Sequence, residues 1–403
     1  MSKLPELSQW SATVSSRFPA LSKPQAMGLA LWSFGMIFVR SCSLSSVAHL
    51  LAPLLGHSFN TMRERLRDTY RESNAKSGTH RAQLDVSLCW APWLAWVLEG
   101  WTERKLAIAL DATSLGERFV VLAVSVVYRG CAVPVAWKIV KANEKHPWKP
   151  EWEALLKQFQ GLLPANWMVI VLADRGLYAK WLFEAIVDLK WHPFLRVNIG
   201  GSFRPQGLNH WRPFSDFTPA KGCQWQGSGT VFCGKQSQLD CTLLAYWGDA
   251  YQDPWLVLTD LAPESANACW YGLRAWIEQG FKRTKRGGWQ WQYTRMEDPA
   301  RAERLWMAIA IATWWLLSVG GDDEAKTDSL SAIKEPVFSL AGGARRQVKG
   351  WRLVGIFLRG WCLIMAALMN HQLIPVKPAR PEAWPGPPKI SPIGEISDSV
   401  AIG

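Results

Sequence analysis

Two runs of apolar residues that each end at an aspartate constrain the fold of this chain most strongly. Residues 106–110 (LAIAL) precede Asp111, and residues 168–173 (MVIVLA) precede Asp174. Short, wholly apolar runs of this kind are typical of strands buried on both faces of a sheet. An aspartate at the carboxyl end of such a strand lies in the crevice where open α/β sheets bind ligands. The pattern therefore predicts two carboxylates facing each other across adjacent strands, where a divalent cation would relieve their repulsion.

The elements around these runs predict a mixed α/β sheet. Two further β-rich runs follow the first aspartate, and after them helices and strands alternate. The predicted elements are strands at 119–128 and 132–140, a helix at 149–163, the strand at 168–173, a helix at 178–189 and a strand at 193–198. Short turns suit antiparallel neighbours and helical crossovers suit parallel ones. Three strands, a helix, a strand, a helix and a strand resemble the order of a ribonuclease-H-like core.

The first hundred residues have the pattern of a helical domain. Helices are predicted over 45–55 and 60–72, and Gly56 lies in the break between them. A helix, a short turn and a basic helix resemble a helix-turn-helix, whose second helix enters the major groove of DNA. Because any antiparallel helix pair with a charged outer face has this outline, residues 1–100 are only a candidate DNA-binding domain.

The core predicted after residue 100 is interrupted once. Residues 200–262 are rich in Gly, Ser, Gln and Trp and contain short strand-like runs, which predicts a β-rich insertion between core segments 101–199 and 263–320. Beyond the core, residues 321–374 are expected to form a helical region, and the polar, Gly-containing residues 320–345 are expected to be a linker. The Pro-rich tail, residues 375–403, is expected to be disordered.

Composition narrows the possible functions. The formal net charge of +12 and the pI of about 9.4 favour a polyanionic partner, although a basic protein without any nucleic-acid role has the same charge. The 26 Trp residues include several beside basic residues, as at Trp137, Trp191, Trp211 and Trp289, and we expect more than half of the 26 to be packing residues. The sequence contains no C-x-x-C pair, so it predicts neither a zinc site nor a redox motif of that type. The apolar run at 305–319 is shorter than a membrane span, so no membrane association is expected.

A charged helix predicted over residues 265–285 supplies a third acid. Tyr271, Arg274 and Glu278 stand at offsets of 0, 3 and 7, and so lie on one stripe of an α-helix. Lys285, at offset 14, falls about 40° short of four full turns. A carboxylate among cations suits an acid that binds metal while its neighbours hold phosphates. An ordinary surface helix with i,i+4 ion pairs would have the same composition.

These residues resemble a known family. Tyr271, Arg274, Glu278 and Lys285 match, at every spacing, the Tyr-x2-Arg-x3-Glu-x6-Lys signature of DDE-type bacterial transposases of the insertion sequence four type. Ala-Leu-Asp-Ala-Thr-Ser around Asp111 resembles the first acidic motif of the family. Ala-Asp-Arg-Gly at 173–176 resembles the second, and the long interval before the third acid leaves room for the β-rich insertion that family members carry.

The resemblance implies a cut-and-paste DNA transposase, in several members acting through a hairpin at the transposon end. Asp111, Asp174 and Glu278 would be the catalytic acids and would hold two Mg²⁺ or Mn²⁺ ions. The residues expected to contact DNA are Tyr271, Arg274, Lys285, Arg175, Lys282 and Arg283. A Trp of the insertion, Trp225 or Trp247, is expected to stack on a flipped base. The expected partners are terminal inverted repeats, target DNA and a second copy of the chain, in a bacterial cytoplasm and at the nucleoid when bound to DNA.

Two alternatives stay open from the sequence. Another ribonuclease-H-like nuclease, such as a resolvase, would share the acids but would not transfer strands. A DNA-binding protein descended from a transposase would bind DNA without cleaving it. A strand-transfer assay separates the first from a transposase, and a Mg²⁺-dependent cleavage assay separates the second.

Overall fold

The apolar runs of the sequence form strands in the computed structural model, which describes residues 4–77, 82–115, 117–144, 148–330 and 354–387. The α-helices are α1 Pro5–Arg17, α2 Lys23–Val39, α3 Leu44–Leu55, α4 Phe59–Arg67, α5 Ser87–Val97, α6 Lys149–Lys157, α7 Lys180–Asp188, α8 Ala275–Thr284, α9 Pro299–Leu330 and α10 Ile356–Met369. The strands are β1 Lys105–Leu115, β2 Phe119–Tyr128, β3 Cys131–Lys141, β4 Met168–Ala173, β5 His192–Arg196, β6 Ser202–Pro205, β7 Arg212–Pro213, β8 Cys223–Val231, β9 Leu239–Trp247 and β10 Trp255–Thr259. The protein is thus a mixed α/β structure.

The chain divides into two compact units. The first contains Met1–Glu103, Ala112–Gln158 and Trp276–Glu382, and the second contains Arg104–Asp111, Phe159–Ala275 and Ala383–Gly403. Strand β1 begins in the second unit and ends in the first. The two acids predicted to lie at strand ends, Asp111 and Asp174, both belong to the second unit.

The first unit packs helices against a β-hairpin. Strands β2 and β3 pair antiparallel from Phe119–Lys141 to Tyr128–Cys131, with a bulge after Val124. Helix α9 lies against β3, α2 and α10. It can approach α10 closely because Gly320 and Gly360 carry no side chain: a Cβ at Gly360 would collide with the Leu316 carbonyl.

The second unit is built on a sheet that is parallel at one side and antiparallel at the other. Strands β1, β4 and β5 run parallel. Antiparallel pairs then extend the sheet in the order β5, β10, β9, β8, β6 and β7. The β-rich segment predicted as an insertion therefore continues the edge of the sheet, because β10 pairs directly with β5 at Leu258–Leu195.

Elements from β1 to β5 follow the predicted order, with some boundaries moved. Strand β1 runs four residues past Asp111, because the chain stays extended into the turn that leads to β2. The expected helix over 265–285 is wrong as one element: two 3₁₀ helices, Pro263–Ser265 and Ala268–Arg274, precede α8.

The linker predicted over 320–345 is wrong for residues 320–330, which are helical and belong to α9. Residues 331–345 lie outside the described residues. Acidic side chains of this polar end are paired: Glu324 binds Arg129 at 2.9 Å between two buried side chains, and Asp322 binds Lys326 at 2.8 Å. Polar residues can continue a buried helix when each charge has a partner of opposite sign.

The predicted disorder of residues 375–403 is wrong for the part that is described. Backbone N–H of Ala379 donates to the Glu99 carbonyl at 2.7 Å, and Trp315 Nε1 donates to the Pro375 carbonyl at 2.8 Å. Ala379 is fully buried. A Pro-rich segment needs no regular structure to pack when its carbonyls accept hydrogen bonds from neighbouring elements. Residues 388–403 lie outside the described residues.

Two composition-based expectations can be compared with burial. Trp137, Trp191 and Trp289, each beside basic residues in the sequence, are buried, as expected for packing residues. Among the described residues, α9 is the one single helix with the length and hydropathy to cross a membrane, over Pro299–Thr327, and its apolar window is entirely buried within the protein. The bent pair α2 and α3 would pass the same test only if it counted as one span, across a 97° break.

Candidate active site

The register of β1 and β4 brings Asp111 and Asp174 together. The last residues paired between these parallel strands are Leu110 and Ala173, so the two aspartates follow at equivalent positions. Equivalent residues of neighbouring strands project to the same face of a sheet. The side chain of Asp111 is 16% exposed and that of Asp174 is 39% exposed. The predicted juxtaposition of the two carboxylates is therefore present.

Arg274 binds both carboxylates at once. Its Nη2 donates to Asp111 Oδ2 at 2.8 Å and to Asp174 Oδ2 at 2.9 Å, and its side chain is only 14% exposed. Two like charges this close repel each other unless a cation lies between them. The guanidinium supplies that positive charge and compensates the two acids.

A tight turn fixes the carboxylate of Asp174. Asp174 Oδ1 accepts a hydrogen bond from the Gly176 backbone N–H at 2.9 Å. A Cβ added at Gly176 would stand 3.2 Å from the same oxygen, which is closer than side chains normally approach. The glycine of the Asp-Arg-Gly sequence is therefore explained locally, because a residue without a side chain lets the turn bring its N–H to the Asp174 carboxylate. Arg175, predicted to contact DNA, is half-exposed and forms an ion pair with Asp253 at 3.3 Å.

Arg274 and Tyr271 lie on a 3₁₀ helix and not on a long α-helix. Ala268–Arg274 begins at Asn267, whose side chain accepts from the Cys269 N–H at 2.9 Å. With three residues per turn, Tyr271 and Arg274 lie one above the other on one side of this helix. The predicted shared face of these two residues is present, but the 3₁₀ period produces it.

Tyr271 is buried, and its contact with DNA stays a prediction. The side chain is 4% exposed and packs edge-on against Trp255, with ring centroids 5.4 Å apart. Burial raises the pKa of Tyr271 to about 12, while the positive charges of Arg274 and Arg196 act in the opposite direction. A side chain with this environment supports the neighbouring Arg274 and does not face solvent.

Arg196 is a site residue that the sequence analysis missed. It is the last residue of β5, and because Ala173 pairs with Leu195, Arg196 stands in the same row as Asp174. Its Nη2 donates to the Pro254 carbonyl at 2.9 Å, and burial lowers the pKa of its guanidinium. The sequence indicated Arg196 only by its position, because this arginine follows an apolar run just as the two aspartates do.

Lys285 is anchored at the end of β1. In the first unit, its Nζ donates to Thr113 Oγ1 and to the Ser114 carbonyl, both at 2.7 Å. Burial lowers the pKa of Lys285. Thr113 and Ser114 belong to the same Ala-Leu-Asp-Ala-Thr-Ser motif as Asp111, so the lysine is tied to the segment that carries the first acid.

The other predicted residues, Glu278, Lys282 and Arg283, lie on α8. Glu278 is half-buried on α8, Lys282 is exposed, and the Arg283 guanidinium lies 5.2 Å from the ring centre of Phe357. Within the described ranges, no group of three or more His, Cys, Asp or Glu side chains is arranged to hold a metal ion. Asp111 and Asp174 lie together in the second unit, and Glu278 belongs to the first unit.

The two Trp residues proposed to stack on a base have different surroundings. Trp225 packs against Phe217 and Phe203 with ring centroids 4.5 and 6.0 Å away. Trp247 donates from Nε1 to the Tyr251 carbonyl at 3.3 Å. Both side chains are partly exposed, so neither environment selects one of them.

Comparison with known proteins gives a match to one family model. A family model described as the transposase DDE domain matches residues 107–315, just over half of the chain. No curated protein matches. Among solved structures, the cryo-EM structure of a piggyBac transposase synaptic complex with hairpin DNA is similar at 9% identity and a TM-score of 0.35, covering 77% of this chain and 73% of that chain. The matched range of the family model includes Asp111, Asp174 and Glu278.

Proposed function

The chain belongs to the transposase DDE domain family, and from that premise we propose that it cleaves and joins DNA strands at the ends of an insertion sequence. The family implies DNA phosphoryl transfer. One observation supports the proposal above the others: a single guanidinium nitrogen of Arg274 binds both Asp111 and Asp174. Two-metal phosphoryl transfer uses carboxylates close enough to hold cations together, and these two carboxylates lie close enough to share one cationic group.

We infer that the acids hold divalent cations. Carboxylate oxygens are the donors that Mg²⁺ and Mn²⁺ prefer, and the two carboxylates already share one positively charged group, so the donor set fits. Asp111, Asp174 and Glu278 would hold the ions. When bound, the ions supply the charge that activates the attacking oxygen and stabilises the leaving oxygen.

The reaction then divides into cleavage and joining. In cleavage, a water oxygen attacks phosphorus, the bond from phosphorus to the 3′ oxygen breaks, and a 3′-hydroxyl is released. In joining, that hydroxyl attacks a phosphorus of the target strand and displaces a second 3′ oxygen. Arg274 compensates the charge of the two acids, while Lys282 and Lys285 supply positive charge to the phosphates. The other two arginines predicted to bind DNA, Arg175 and Arg283, would contribute outside the reacting centre.

Several finer assignments rest on the sequence motifs. We propose that the chain is of the insertion sequence four type with its Tyr-Arg-Glu-Lys signature, and that β1 to β5 form a ribonuclease-H-like core. Cleavage through hairpin ends, a homodimeric synaptic complex and DNA binding by α3 and α4 are parts of the same proposal. Glu64 of α4 pairs with Arg67 at 2.7 Å and with Arg71 at 2.9 Å, so a DNA phosphate would compete with this carboxylate for both arginines.

Replacement of one acid tests the proposal. The DNA that flanks the gene is the substrate, and wild type should nick it at the element ends with Mg²⁺ and then join the ends to a target plasmid. Asp111→Ala, Asp174→Ala and Glu278→Ala should lose strand cleavage and still bind the same DNA. Asp253→Ala, which removes a surface acid paired with Arg175, is the matched control and should cleave normally. Binding by wild type without cleavage would favour a non-catalytic descendant, and cleavage without joining would favour a nuclease.

A further inference from the structure

The segment that follows residue 382 is bound to the 3₁₀ helix of the candidate active site. The Trp384 ring packs edge-on against Trp270, with centroids 5.1 Å apart and planes at 68°. The Pro385 carbonyl accepts two hydrogen bonds, from Trp270 Nε1 at 3.2 Å and from Asn267 Nδ2 at 3.1 Å. Pro385 is buried. All of these residues belong to the second unit.

The residues that receive this segment are the ones that start the helix. Asn267 uses its side-chain oxygen to cap the helix at Cys269 and its side-chain nitrogen to hold Pro385. Trp270 is in the first turn and also packs against Phe194 of β5 at 5.9 Å. The same helix ends at Arg274, the side chain that binds both acids.

A lysine of β1 joins the same contact. Lys105 Nζ lies 5.5 Å from the ring centre of Trp270 and 5.8 Å from that of Trp384. A cation over two aromatic rings adds electrostatic attraction to their packing. Lys105 opens the strand on which Asp111 stands six residues later, so the two rings connect the β1 strand to the 3₁₀ helix.

We propose that Trp384 is a positioning residue for the reaction: it fixes the start of the 3₁₀ helix and thereby holds Arg274 between Asp111 and Asp174. This inference rests on the proposed function. A 3₁₀ helix of seven residues has few internal hydrogen bonds of poor geometry, so contacts from outside must hold it in place. Because Arg274 bonds the two acids at 2.8 and 2.9 Å, a small shift of the helix removes one of the two bonds. Displacements of about 1 Å near a reacting centre can cost roughly 100-fold in rate.

The test uses the full chain and three variants. Trp384→Ala removes the ring, Trp384→Phe keeps an aromatic ring, and Trp148→Ala removes a partly exposed Trp of the first unit as the matched control. Single-turnover cleavage of the flanking DNA at saturating protein gives the rate without a contribution from affinity. A binding titration gives the Kd, and hydrogen exchange of peptides covering 268–274 reports on the helix.

We expect Trp384→Ala to cleave about 10- to 100-fold more slowly with an unchanged Kd, and its 268–274 amides to exchange faster. Trp384→Phe should recover most of the rate, and Trp148→Ala should match wild type. Wild-type cleavage by Trp384→Ala would overturn the proposal, and so would a loss of DNA affinity equal to the loss of rate. If wild type itself binds the DNA without cleaving it, the transposase proposal fails, and the exchange rates alone decide whether Trp384 holds the helix.

Discussion

Asp111 and Asp174 stand one residue beyond the last paired residues of two parallel strands, Leu110 and Ala173, and share a single nitrogen of Arg274. The register of the sheet, and not a flexible loop, therefore sets their separation. Carboxylates on neighbouring strands are held close whether or not their repulsion is compensated, so a cation between them stabilises the fold as well as the site. Arg274 has this role in the structure.

Removal of that cation should make the protein depend on divalent ions. Arg274→Gln leaves two uncompensated carboxylates, and we expect it to lower the free energy of unfolding by about 2 kcal/mol without Mg²⁺. Millimolar Mg²⁺ should then raise the Tm of the variant more than that of wild type, because the guanidinium no longer competes for the acids. Thermal unfolding with and without Mg²⁺ measures both effects.

Arg175→Gln is the matched control for this prediction. Arg175 follows Asp174 directly, yet its ion pair with Asp253 is at the surface, where such pairs contribute little. The Tm of Arg175→Gln and the change in that Tm with Mg²⁺ should stay close to those of wild type. An equal Mg²⁺ response in wild type and Arg274→Gln would contradict the idea that Arg274 occupies a cation position.

The turn after Asp174 should be sensitive to one methyl group. Gly176→Ala places a Cβ about 3.2 Å from Asp174 Oδ1 and should displace the carboxylate or break its bond to the residue 176 N–H. We expect cleavage to slow by at least about tenfold, with about 1 kcal/mol of lost stability. Gly200→Ala, at a glycine with open space around its Cβ position, should have wild-type activity. Single-turnover rates compare the two variants, and equal rates would remove the steric explanation.

The sequence predicts the parts of the site that depend on strand pattern. The apolar runs before Asp111 and Asp174 predict the two strands and their order in the chain, because strands buried on both faces are almost entirely apolar and differ from the segments around them. Arg196 has the same position at the end of β5, but it was missed because an arginine is not a metal ligand and does not by itself indicate a metal site. The family match over residues 107–315 agrees with the transposase assignment.

The sequence predicts local structure less well where contacts between distant parts of the chain determine it. Tyr271 and Arg274 fit an α-helical stripe and a 3₁₀ turn equally well, because both periods place i and i+3 on one side. The Pro-rich stretch around Trp384 has the composition of a disordered tail, but contacts with residues distant in sequence, such as the hydrogen-bond donors of Asn267 and Trp270, hold it in place. The length of α9 depends on ion pairs with residues far away in sequence, which local patterns do not contain.

Glu72 ties the candidate DNA-binding region to α9 and should produce a pH-dependent stability. Arg301 donates to it from Nε and Nη2, at 3.1 and 2.7 Å, and Arg304 Nη1 adds a bond of 3.1 Å. The hydrogen bond from Arg301 is the main cause that lowers the pKa of Glu72 to about 2, against an ordinary value of 4.5. Because the pKa is depressed in the folded state, the stabilisation is complete above pH 4.5 and is lost as the pH falls towards 2.

Glu72→Gln should therefore lose about 1–2 kcal/mol at pH 7, less than the full shift implies because the side chain is 28% exposed. Urea unfolding from pH 7 to pH 3 should show the difference from wild type shrinking below pH 4.5. Glu64→Gln, whose ion pairs lie within and just beyond its own helix, should cost well under 1 kcal/mol. A difference for Glu72→Gln that stays constant with pH would exclude the charge as its source.

Lys285 can act on DNA or on the protein, and salt separates the two roles. Its Nζ holds Thr113 and the Ser114 carbonyl, so Lys285→Ala should loosen the end of β1 even without DNA. If the lysine also contacts a phosphate, the slope of log K against log salt should fall by about one unit. Thr113→Val removes the hydroxyl partner and keeps the charge, so it should reproduce the loss of stability with an unchanged slope. An unchanged slope in Lys285→Ala as well would make Lys285 a structural anchor and leave the phosphate contacts to Lys282.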